Sequence, residues 1–209
     1  EVAAALQYIR AHANDLAIDP QRIALGGDSA GAQIAAQAAI ALNSPDYATR
    51  LGVERKDAFD LSGLVLFCGL YDPELKDNAS AYAHFLSIAS WAYFGTDDIA
   101  HDARRGDYSV VANLPQVFPP MFVSVGNADP LAPHSRRLAQ VARAKGLAVH
   151  TLFFERPEPR LAHEYQFDLG SRPAQVALER TIAFLKGVFD LEQSTALNET
   201  GARAGALHR

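Results

Sequence analysis

Val2, Leu6, Ile9, Ala13 and Leu16 lie three or four positions apart, which predicts a helix near residues 2–16 with one apolar face turned to a sheet. Asp19 and Pro20 interrupt that pattern, and the short run Ile23-Ala24-Leu25, closed by Gly26 and Gly27, reads as a buried strand. From Ala30 to Leu42 the chain is almost entirely Ala, Gln, Ile and Leu, a strong helix-forming composition that Asn43-Ser44-Pro45 stops. A polar stretch over 46–60 leads to residues 61–68, where Leu64, Val65, Leu66 and Phe67 make the continuous apolar run of a strand covered on both faces.

The region 69–120 is less regular. Tyr82, Phe85, Trp91, Tyr93 and Phe94 concentrate in a predicted helix, and the segment from about 70 to 118 is expected to form a cap-like insertion over the sheet. Pro119-Pro120 then introduces a third strand, 121–125, and Asp129, Pro130 and Pro133 mark a turn into a helix that includes Leu138, Val141 and Ala142 and closes at Gly146. A fourth strand over 149–154 is followed by a proline-bearing loop, 155–165. The last helix carries Leu178, Ile182, Leu185 and Phe189 as a single stripe. Residues 191–209 are small and polar without apolar periodicity, and are expected as a mobile tail.

Strands alternating with helices specify an α/β fold: a mostly parallel sheet with helices on both faces, because parallel neighbours need helical crossovers. Residues 1–190 read as one domain. Ligands on such sheets bind beyond the carboxyl ends of the strands, so the positions just after Leu25, Cys68, Val125 and Phe154 are where chemistry is sought.

After the first strand comes Gly27-Asp28-Ser29-Ala30-Gly31, the pattern that places a serine on a sharp strand-to-helix turn with its oxygen exposed. The Ala30 amide at the start of the following helix is a candidate oxyanion donor. After the third strand comes Asp129-Pro130, a candidate orienting acid, with Asp72-Pro73 after the second strand as a rival of the same local appearance. Taken alone, either dipeptide is also an ordinary turn former. After the fourth strand comes His163, a candidate general base, giving the chain order Ser29, Asp129, His163.

The remaining histidines have plainer readings. His12 falls on a helix flank, His134 at a helix start, His150 in a strand, His84 and His101 in the insertion and His208 in the tail. Cys68 reads as a small core residue at a strand end. No pair of histidines or carboxylates has metal-ligand spacing, so neither a metal nor another cofactor is expected.

Charge and length narrow the partners. A formal net charge of −5 with no basic run argues against a nucleic-acid surface, and no stretch is apolar enough to span a membrane. One cysteine cannot form an internal disulfide, so nothing demands an oxidising compartment, and cytoplasmic residence is the expectation.

Together, Gly27-Asp28-Ser29-Ala30-Gly31, Asp129-Pro130-Leu131 after a strand introduced by Pro119-Pro120, and His163 before a final amphipathic helix resemble the α/β-hydrolase superfamily. The likeness is to the hormone-sensitive-lipase-like esterases, with acetyl-xylan and feruloyl esterases nearby. It implies a serine carboxylic-ester hydrolase with Ser29 as nucleophile, His163 as base and Asp129 as its orienting acid, acting on a small-molecule ester. Asp28, Tyr82, Trp91 and Phe94 are the candidate substrate contacts, the aromatics having ordinary core packing as their alternative.

The likeness also implies a homodimer through the edge strand at 149–154. Such enzymes resemble one another in a His-Gly-Gly segment upstream of the serine, which the 209 residues do not contain. The expectation is therefore that residues 1–190 are the carboxyl-terminal portion of the domain, lacking its first strands, and that an upstream segment or another chain covers the first strand's edge. A serine peptidase or amidase of the same fold, and a non-catalytic binding protein or inactive fragment, are the competing readings.

Overall fold

Four short parallel strands form the centre of the structure, a computed structural model that describes the backbone of residues 1–54, 60–75, 82–96, 98, 101–156 and 158–206, and side chains as far as 190. β1 (Ala24–Asp28), β2 (Gly63–Phe67), β3 (Met121–Val125) and β4 (Val149–Phe153) lie in the order β1-β2-β3-β4. The register pairs Leu25 with Leu64, Leu64 with Met121 and Met121 with Val149, so all four strands end at the same edge. β1 and β4 are the two outer strands of this sheet.

The continuous apolar runs are explained by coverage on both faces. Leu64, Leu66, Met121 and Val123 belong to a large core with α1 (Val2–Ala11), α2 (Ser29–Asn43) and α7 (Ala132–Ala144), whereas Val65 and Phe122 face Phe184 and Val188 of α8 (Arg172–Ala206). Successive side chains of a strand point to opposite faces, so strands covered on both sides cannot show polar alternation. Ala32, Ala35, Ala36 and Ala39 form the buried stripe of α2, and their small size brings that helix close to β1 and β2.

Several boundaries differ from expectation for physical reasons. The first helix ends at Ala11 rather than near 16, leaving Leu16 exposed while Ala13 is buried in the turns that follow. Gly26 and Gly27 do not end β1; they lie within it, and the strand runs to Asp28. Asn43-Ser44-Pro45 stops α2 but also starts α3 (Pro45–Arg50): the Ser44 hydroxyl accepts the Tyr47 amide at 3.3 Å, and proline occupies the first turn where its missing N–H costs nothing.

On α8 the buried residues are Ala174, Ala177, Phe184 and Val188, with Leu185 and Phe189 half-buried, whereas Leu178 and Ile182 of the predicted stripe are exposed. Small alanines make the inward face, which a search for large apolar residues overlooks. The helix continues past 190 to Ala206, and His208 lies outside the described residues.

The insertion contains α4 (Ala83–Phe94), α5 (Arg105–Tyr108) and α6 (Val110–Asn113). Its end is part of the main core, since Val110, Val111, Leu114 and Phe118 pack with the sheet. α5 is tied to α3: the Tyr47 hydroxyl donates to the Asp107 carbonyl at 2.6 Å, and Arg50 pairs with the Asp107 carboxylate at 2.7 Å. No helix among the described residues is long and apolar enough to cross a membrane.

Phe184 joins α8 to the sheet, with its ring centroid 5.9 Å from that of Phe122 and its edge against Gly63. Truncating Phe184 to Ala is expected to cost about 3–5 kcal/mol through lost burial and the cavity left behind. Urea denaturation checks this: the midpoint should fall with the slope unchanged.

Candidate active site

Ser29, the first residue of α2 directly after β1, has φ of +51°, a backbone conformation that residues with side chains rarely adopt. The turn is possible because Gly27 has no side chain: a Cβ there would lie 2.3 Å from the carbonyl carbon of Gly31. Gly31 itself has open space around the position of a Cβ, so the steric demand falls on Gly27. Ala30 lies in the first turn of α2, where amides have no intrahelical partner and can donate to an anion. Asp28, a predicted substrate contact, is half-buried at the amino cap of α2, and its side chain makes no cap bond there.

Asp129 follows β3 at the same sheet edge, with its side chain fully buried. One carboxylate oxygen accepts the Leu131 amide at 2.7 Å, and the other faces His163 Nδ1 at 2.9 Å. His163 Nε2 lies 3.0 Å from Ser29 Oγ. With the imidazole proton on Nδ1, His163 donates to Asp129 and accepts from the serine hydroxyl, the arrangement in which it can remove the hydroxyl proton. The structure thus brings Ser29, Asp129 and His163 into one hydrogen-bonded row.

Asp72, the rival candidate, faces other partners. Its carboxylate accepts the Glu74 amide at 3.0 Å and lies 3.5 Å from Arg137, and its own amide donates to His134 at 3.3 Å. Asp72 and Arg137 line a cavity of about 540 Å³ with Glu74, His101 and Arg105, and none of Ser29, Asp129 and His163 lines it.

How His163 is held was not visible in the sequence. A Cβ on Gly126 would stand 2.2 Å from the Leu161 carbonyl oxygen, so the loop carrying His163 lies directly on the end of β3. The Ala128 amide donates to that same carbonyl at 3.0 Å. Asn127 closes the contact, donating to the carbonyls of Arg156 and Pro159 and accepting the Leu161 amide at 2.8 Å. Beyond His163, Tyr165 joins Ser124 at 2.6 Å, and Ser124 donates to Leu152. A Gly-Asn pair after a strand signals a turn; nothing in its spacing says which distant carbonyls it binds.

Of the predicted aromatic contacts, Tyr82 reaches the site, its ring centroid 5.4 Å from that of His163 and edge-on to it. Phe94 is instead buried against Tyr93 and Tyr108, and Trp91 is exposed. α4 has apolar residues on all sides, so the sequence offered no polar face from which to orient it. Cys68, at the end of β2, is also part of the site. Its sulfur, the Asp129 carboxylate and an imidazole nitrogen of His163 all lie within 4.8 Å of one another.

The hydrogen bond to Asp129 holds His163 up to about 10, with Cys68 a second raising contact and burial acting against both. In the base role that the resemblance implies for His163, the neutral imidazole is the competent form, so the active fraction is expected to grow as pH rises through this value. The kcat/KM profile is therefore expected to climb through the alkaline range. Asp129→Asn removes the first cause of the shift, so its inflection should move to lower pH, with the plateau reduced about 10⁴-fold. A pH–rate series on both proteins checks direction and size. Gly126→Ala should displace the His163 loop, costing about 1–3 kcal/mol of stability in thermal denaturation and lowering kcat more than KM.

A profile of the α/β-hydrolase fold matches residues 1–158. The chain is 24% identical over 208 residues to esterase LipQ of Mycobacterium tuberculosis, covering 99% of this chain and 46% of that protein. It is 30% identical over 134 residues to a probable carboxylic ester hydrolase, LipM, of the same organism, covering 64% of this chain and 30% of the relative. It thus spans less than half the length of either curated relative.

Among solved structures, esterase B of Lactobacillus rhamnosis superimposes with a TM-score of 0.78 at 19% identity, over 94% of this chain and 62% of that one. A bacterial heroin esterase does so with a TM-score of 0.68 at 22% identity, over 90% and 58%. The sheet, the strand-to-helix serine turn and the profile match agree: the chain belongs to the α/β-hydrolase fold family.

Proposed function

We propose that this chain carries the reacting groups of a serine carboxylic-ester hydrolase that acts on small or medium acyl esters. The observation that carries the reading is the unbroken row from Ser29 Oγ through His163 to Asp129, with separations of 3.0 and 2.9 Å. His163 Nε2 takes the proton from Ser29 as its oxygen bonds to the ester carbonyl carbon, and Asp129 stabilises the imidazolium that results. The proton then passes to the departing alkoxide, leaving an acyl group on Ser29. Water, deprotonated by the same nitrogen, releases the acid and restores the serine.

The negative charge that develops on the carbonyl oxygen is met by the Ala30 amide and the amino terminus of α2. Tyr82, edge-on to His163, forms an apolar wall beside the reacting carbon. The names of the relatives, an esterase and a carboxylic ester hydrolase, favour esters over amides as the substrate class. The homodimer through residues 149–154 is proposed on the place of β4 at the sheet edge, where its outer backbone groups are unpaired by the sheet.

Turnover of short-chain p-nitrophenyl esters is the direct test. Ser29→Ala is expected to lower kcat by at least about 10⁴-fold with the fold intact by circular dichroism. A fluorophosphonate should label the unmodified chain and leave the variant unlabelled. Ester hydrolysis that survives the substitution would reject Ser29 as the nucleophile, and release of amines from peptide substrates without ester turnover would favour the amidase reading.

A further inference from the structure

Cys68 has no part in the acyl-transfer steps, yet it is held tightly at their centre. The residue is 1% exposed and sits just past β2 with φ of +41°. Gln166 directs its side-chain nitrogen at the sulfur from 4.0 Å, while the carbonyl oxygen of the same buried amide has no partner among the described residues. Thiol and carboxylate just past β2 and β3 converge here with the imidazole on the loop after β4, all within 4.8 Å. A tetrahedral zinc site uses these donor types, with bonds of about 2.0–2.3 Å that set donors about 3.3–3.8 Å apart. The three donors therefore need adjustments on the order of 1 Å to share one ion.

We propose that Cys68, His163 and Asp129 form an inhibitory site for a thiophilic divalent cation of the zinc class. The ion accepts lone pairs from Cys68 Sγ, His163 Nδ1 and an Asp129 oxygen. The thiol proton leaves to solvent, and the imidazole proton moves from Nδ1 to Nε2. With Nε2 protonated, His163 can no longer take the proton of Ser29, so an occupied site and a competent base exclude each other. The side chain of His163 is 11% exposed and that of Asp129 is fully buried, so the ion enters by displacing the loop that carries His163. The inhibitory consequence rests on the proposed esterase reading; the binding does not.

Cadmium, a spectroscopic stand-in for zinc, tests the binding without turnover. Titration of the chain with Cd²⁺ is expected to give an ultraviolet thiolate charge-transfer band saturating at one ion per chain. Cys68→Ala and Cys68→Ser should lose the band. His163→Gln, which keeps the thiol, should weaken binding by at least the roughly 10- to 100-fold that even a supporting contact to a metal site is worth.

Preincubation with Zn²⁺ should abolish ester turnover reversibly by chelator, and the two Cys68 variants, each compared with its own metal-free rate, should resist it. A missing band, or undiminished affinity in His163→Gln, overturns the proposal. So does equal zinc inhibition of the unmodified chain and a folded Cys68 variant. Absence of ester turnover alongside a normal band would sink the esterase reading and leave the metal site standing.

Discussion

The contact on which the site depends is the seating of the 155–164 loop against the end of β3. A parallel sheet delivers Ser29 and Asp129 to one edge by register alone, because both follow strands that end together. His163 has no such guarantee, lying ten residues beyond the end of β4 on a chain segment without regular structure. It comes within 3.0 Å of Ser29 because Gly126 leaves room for the Leu161 carbonyl and Asn127 binds the loop backbone at three points. Ordering a loop costs about 1–2 kcal/mol per residue in backbone entropy, and these local bonds, together with the packing of Leu161 and Tyr165 on Ala177, offset it.

That seating also sets the electrostatics. A carboxylate fixed by the Leu131 amide cannot turn away, so it presents a steady charge to His163 and favours the imidazolium. The same interaction that orients the base therefore makes its neutral form harder to reach. Under the proposed mechanism the conflict is resolved in favour of the transition state, where an imidazolium would form and the fixed carboxylate would be most useful.

Much of this was legible from the residues. The strand run Met121–Val125 matched its boundaries, and the order Ser29, Asp129, His163 anticipated the row that the structure assembles. What stayed hidden involves partners distant in sequence. Asp72-Pro73 and Asp129-Pro130 are locally alike, and only the fold shows that Arg137 lies beside one carboxylate and His163 beside the other. The exposure of Leu178 and Ile182 on α8 was equally hidden, because apolar periodicity finds a stripe but does not say whether large residues or alanines face inward.

Backbone strain follows the same geography. Among the described residues, four that are not glycine have positive φ, and three of them, Ser29, Cys68 and Glu164, border the candidate site. Each such conformation costs on the order of 1–3 kcal/mol and persists only where its surroundings leave no relaxed alternative. For Ser29 the constraint is the tight approach of Gly27 to Gly31 beneath a helix buried along its alanine stripe. For Cys68 it is the bond from its amide to the Ser124 carbonyl at 2.9 Å, which continues the β2–β3 pairing one residue past the strand. For Glu164 it is the turn into Tyr165, whose hydroxyl is fixed to β3 through Ser124. All three strained positions are thus braced by the sheet, so loosening β3 would release the geometry of thiol and imidazole together.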